Sequence, residues 1–87
     1  MSAARAPGGA MELAETMSSM GSLYLDQGKA DSALVLQQGA LHILDSMGLD
    51  SLPRARILGN LGYAHYWLGQ PDKAISYYDA ALVSLGP

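Results

Sequence analysis

The side chains of this sequence best suited to chemistry are His42, His65 and a scatter of serines and carboxylates. An imidazole binds a metal or moves a proton when a second group is held beside it. On a helix that means His-x-x-x-His or Glu-x-x-His spacing, and neither occurs here. His65 is therefore expected in the core or at its rim, and His42 stands apart from it. No Gly-rich loop ends in Lys followed by Ser or Thr, and no serine sits in a nucleophile elbow. Ser, His and Asp are all present, but their scatter gives no triad. Glu12, Glu15, Asp45 and Asp50 read as solvated surface. No enzyme activity, metal or cofactor is expected. The residues that can act are aromatic: Tyr63, Tyr66 and Trp67 fall within about a turn of one another. Such rings bring large apolar area with a polar handle, which suits binding.

Composition narrows the classes further. Eighty-seven residues, 49% of them apolar, allow one small domain with a shallow core. The net charge of −3 argues against nucleic acid, whose phosphates need a basic surface. Residues through Asp50 hold six acids and two bases, and those after it two acids and three bases. That polarity favours head-to-tail contact, weakly because salt screens it. With no cysteine there is no disulfide and no Cys-based zinc site, and a reducing, cytoplasmic setting fits. No apolar run approaches the ~20 residues of a membrane span, and Met1–Ala10 lacks the apolar stretch of a secretory signal. Residues 1–10, rich in Ala, Pro and Gly, read as a disordered tail or an added remnant, and Met11 is an alternative start.

Four helices are expected to position these side chains, with no strand between them, since no stretch alternates with period two. The first runs from about Met11 to Asp26, with Leu13, Met17, Met20 and Tyr24 as its inward stripe. Gly28 ends it. Core packing is the favoured role for Met17 and Met20, and an adaptable binding surface with Met11 is the other. The second runs from about Ala30 to Met47, with Ala33, Leu34, Gln37, Ala40, Leu41 and Leu44 inward and Asp31 at its positive end. A loop from Met47 to Leu52 follows, in which Ser51 can cap the next helix. The third runs from about Pro53 to Leu68, with Ile57, Leu58, Leu61, Ala64, His65 and Leu68 inward. Gly69 stops it, and Pro71 opens the fourth. There the stripe is Ala74, Ile75, Tyr78, Ala81, Leu82 and Leu85.

The two halves repeat. Gly21 and Gly62, Gly28 and Gly69, Asp31 and Asp72, Ala33 and Ala74, Ala40 and Ala81, and Leu41 and Leu82 are all separated by 41 residues. A constant offset through small, acidic and apolar positions means two copies of one helical hairpin, stacked side by side. The domain is thus read as residues 11–87, with repeats at about 11–50 and 51–87.

The run Asn60-Leu61-Gly62-Tyr63-Ala64-His65-Tyr66-Trp67-Leu68-Gly69-Gln70-Pro71-Asp72-Lys73-Ala74 resembles a tetratricopeptide repeat. The family's Leu-Gly pair falls on Leu61 and Gly62, its turn glycine on Gly69, and its small residues on Ala74 and Ala81. Its second-helix aromatic falls on Tyr78. The first unit keeps Met20-Gly21, Tyr24, Gly28, Ala33 and Ala40 but has Gln37 in the aromatic's place. The spacing of 41 exceeds the usual ~34 and is similar to the long repeats of kinesin-light-chain-like and LGN-like proteins. The resemblance implies an all-α fold of two stacked helix-turn-helix units, an α-solenoid fragment.

It also implies a non-catalytic scaffold whose first helices line a concave face for a partner's peptide or helix. Residue by residue, that face falls on Glu15, Ser18, Ser22, Leu25 and Asp26, then on Arg56, Gly59, Tyr63, Tyr66 and Trp67. The Lys and Asn pattern with which some members clamp a carboxylate is missing: Ser18, Ser22, Gly59 and Tyr63 stand there. His65 occupies a packing aromatic's position. Tyr66 has two readings, packing between repeats or meeting a partner. A hairpin repeat buries its outer face only under a neighbour. The last helix would leave Tyr77, Tyr78, Leu82, Val83 and Leu85 open, which marks self-association into a homo-oligomer. The alternative is a piece of a larger regulator or scaffold built of the same repeats.

Overall fold

The small-and-apolar spacing folds as four helices in the computed structural model, which describes residues 6–48 and 52–86. They are α1 (Ala6–Asp26), α2 (Ala30–Ser46), α3 (Leu52–Trp67) and α4 (Pro71–Leu85), with no strand among the described residues. α1 pairs with α2 and α3 with α4 as antiparallel hairpins, and α2 against α3 joins them. The result is a slab of 44 × 33 × 15 Å.

Both hairpin turns are built alike. Gly28 and Gly69 have φ of 77° and 75°, the left-handed region that glycine enters without steric cost. At the first, the Lys29 N–H bonds the Tyr24 carbonyl at 2.8 Å and the Gly28 N–H bonds that of Leu25 at 2.9 Å. At the second, Gln70 N–H to His65 carbonyl and Gly69 N–H to Tyr66 carbonyl repeat the pattern at 2.9 and 3.0 Å. These paired bonds satisfy the last carbonyls of each first helix and close it as a Schellman motif. Asp31 and Asp72 follow in the first turns of α2 and α4, at the positive dipole ends.

The core lies where the helices meet. Ala14, Ala40, Leu44, Ile57 and Leu61 form one cluster across α1, α2 and α3. Leu25, Ala30, Ala33 and Ala64 form another near the turns. The inward positions expected on α2 and α3 are all buried or half-buried.

The outer helices depart from expectation. α1 begins at Ala6, five residues ahead of Met11. Pro7 falls in its first turn, where a missing N–H goes unused, so the segment Ala-Pro-Gly-Gly-Ala joins the helix despite its two glycines. Its buried line is Ala14, Ser18, Gly21 and Leu25, while Leu13 and Met20 are exposed. The small side chains sit at the contact because the axes come close there. Met17 does pack inward, its Cε facing Gly39. On α4 only Ala74 is buried, and Ile75, Tyr78, Leu82 and Leu85 are exposed because no described element covers them. Ser51, expected to cap α3, lies outside the described residues, as do Met1–Arg5, Leu49, Asp50 and Pro87.

Candidate binding surfaces

Tyr63 and Trp67, four residues apart on α3, project together. Their rings meet edge to face at 6.1 Å and 85°, and both are exposed. Trp67 also lines a hollow of about 330 Å³ with Leu68 and the start of α2, from Gly28 to Ser32. One indole thus spans the seam between repeats. Arg56, two turns before Tyr63 on α3, is exposed, as are Asp26 and, in part, Glu15 on α1. Ser22 is half-buried and accepts a 3.3 Å bond from Asn60 Nδ2.

Two residues assigned to this face are not on it. Leu25 is buried in the cluster that holds Ala64 of α3. Ser18 is buried and donates from Oγ to Gln37 Oε1 at 2.8 Å. Gln37 Nε2 returns a bond to the Ser18 carbonyl, also at 2.8 Å. Gln37 is fully buried, and this pairing meets the cost of its burial. Gly21 makes the room, since a Cβ there would stand 2.6 Å from Gln37 Nε2. One repeat later the same place is made by Gly62, whose added Cβ would meet Tyr78 Cε1 at 2.8 Å. The amide in the first repeat and the ring in the second fill equivalent grooves. The inward position of Gln37 follows from its place on the α2 stripe, whereas its pairing with Ser18 does not, since helical spacing gives no sign of which polar group lies opposite.

Tyr66 is exposed, whereas Leu25, 41 residues before it, is covered. Its ring therefore belongs to the side of the second repeat that lacks a neighbour. Tyr77, assigned to the open end, is half-buried instead. It stacks on His65 with ring centroids 5.2 Å apart and planes within 6°. His65 is buried, and its Nδ1 lies 2.6 Å from Gln70 Oε1, so the imidazole is a packing residue inside the hairpin. Among the described residues no three His, Asp or Glu side chains gather as a metal site. No helix among them is long and apolar enough to cross a membrane.

The open end proper is the stripe Ile75, Tyr78, Leu82 and Leu85. Ile75 joins it although it was absent from the residues first assigned there. Val83 is exposed too, but so is its counterpart His42, although α3 packs against α2. Val83 thus faces away from where a next repeat would sit. At the other end of the slab α1 exposes Leu13, Met20 and Leu23.

A family model described as tetratricopeptide repeat matches residues 12–82 of the chain. No curated protein and no solved structure matches it significantly.

Proposed function

This chain belongs to the tetratricopeptide repeat family, and from that premise we propose that it is a non-catalytic module that docks a peptide or helix of a partner protein. Repeats of this family mediate protein–protein interaction, and the fold is typically a non-catalytic scaffold. The observation that carries the reading is the exposed edge-to-face pair of Tyr63 and Trp67 at the seam between the repeats. Two large exposed rings in edge-to-face contact offer apolar area with polar handles, the property of a binding anchor. Arg56 on the same helix, with Glu15 and Asp26 on α1, gives the face charges of both signs for orienting a ligand.

Selection of displayed peptides against the whole chain, with Trp67 fluorescence as the readout, tests this. Trp67→Ala is expected to weaken selected binders by about tenfold or more, as loss of a central aromatic anchor does. Binders that shift no fluorescence and ignore Trp67→Ala and Tyr63→Ala would remove this face from the account.

A second role is favoured by the bare stripe on α4. Ile75, Tyr78, Leu82 and Leu85 form one apolar line that a repeat protein ordinarily covers. We read it as an assembly surface, through which copies associate or through which further repeats of a larger scaffold stack.

A further inference from the structure

The molecule contains its own template for what covers the stripe on α4. Between the repeats, α2 offers Leu34, Leu41 and Leu44, and α3 lays Ile57, Leu61 and Ala64 against them. Adding 41 carries the α2 set onto Ile75, Leu82 and Leu85 of α4, and subtracting 41 carries Leu61 and Ala64 onto Met20 and Leu23 of α1, with the polar Thr16 in the place of Ile57. Leu61 and Ala64 are 0% exposed, while Met20 and Leu23 are 44% and 61% exposed. The bare face of α1 is thus the unpartnered equivalent of a face buried in the same molecule, and so is the bare face of α4.

We infer that these are two halves of one interface, and that a second copy of this chain stacks head-to-tail, its α1 on the first copy's α4 in the manner of α3 on α2. The inference rests on the self-association reading above and names the complementary surface. Charge supports this occupant. Among its described residues α1 carries Glu12, Glu15 and Asp26 and no base, while α3 carries no acid and two bases, Arg56 and an Arg54 that already pairs with Asp45 of α2 at 2.9 Å. Glu15 and Arg56 are equivalent positions 41 apart. A head-to-tail stack therefore sets acidic and basic first helices in alternation, each beside its opposite. Pairing two α4 stripes with each other gives no such alternation. Because the two faces differ, the contact does not close on itself, and assembly proceeds stepwise beyond the dimer.

Two exposed substitutions test it in the full chain. Leu82→Glu spoils the α4 face and Leu23→Glu the α1 face, and helical circular dichroism confirms that each variant is folded. In sedimentation equilibrium the wild type is expected to give masses rising past twice 9.1 kDa as concentration increases. Each variant alone is expected to stay monomeric. Mixed, they are expected to form a 1:1 dimer, since one keeps an intact α1 face and the other an intact α4 face. If the wild type associates but Leu23→Glu associates equally well, or the mixture stays monomeric, head-to-tail stacking is overturned and the self-association reading survives. A wild type that remains monomeric throughout overturns both, and leaves the α4 stripe to further repeats or another protein.

Discussion

Gln37 concentrates the difference between the two repeats in one side chain. Its amide and Ser18 exchange two buried bonds across α1 and α2, and Asn60 Nδ2 reaches Ser18 Oγ at 3.4 Å from α3. A buried amide that loses a partner costs about 1–3 kcal/mol, more than the bond contributes when intact. Gln37→Leu and Ser18→Ala are each expected to destabilise by that order in urea unfolding. The double variant is expected to fall short of their sum by about 1 kcal/mol or more, because the second change orphans nothing new. Strict additivity would mean that the pair is not a unit. A prediction of the opposite kind concerns Gly21 and Gly62. An alanine at Gly21 pushes on the fully buried, hydrogen-bonded Gln37 amide, whereas one at Gly62 meets the Tyr78 ring, which is 40% exposed, as well as the Ala74 carbonyl at 3.0 Å. Gly21→Ala is expected to be the more destabilising in the same assay, by about 1 kcal/mol, the scale of a lost hydrogen bond.

At the scale of the helices, the alanine pairs set how near the axes come. Ala74 is buried with its carbonyl beside Gly62, so a larger side chain there forces α3 and α4 apart. Ala74→Leu is expected to cost roughly 1–3 kcal/mol, seen as a lower urea midpoint at unchanged slope. An unchanged midpoint would show that the hairpin yields there. The elements themselves were largely legible from residue spacing: the turns at Gly28 and Gly69, the inner faces of α2 and α3, and the 41-residue duplication. Burial on the outer helices was not. Leu13 and Met20 repeat at helical spacing and so look inward, yet α1 turns its small residues to the contact. Periodicity finds an apolar face without saying whether anything lies over it, and the same ambiguity held on α4. Leu25 and Ser18 could not be told from surface residues, because their burial depends on α3 and on Gln37. Tyr77 reads as open-end surface in the sequence because its stacking on His65 depends on the rotation of α4 against α3.

At the scale of the whole molecule, a slab 15 Å thick has little interior beyond its helix contacts. It leaves an apolar face at each end and an aromatic seam between. Repeat proteins gain stability from each neighbour they stack on. If the bare faces of α1 and α4 are used by copies of the chain, folding and assembly are linked, and added chain raises stability by mass action. Thermal unfolding followed by circular dichroism over a wide range of chain concentration tests this most directly. A hundredfold excess over the dissociation constant adds about 2.7 kcal/mol, and each kcal/mol raises Tm by about 4–8 °C in a domain this small. The account predicts a melting temperature that climbs by roughly 10–20 °C over such a range of concentration and a climb abolished by Leu82→Glu. A single melting temperature, the same for dilute and concentrated wild type, would contradict it.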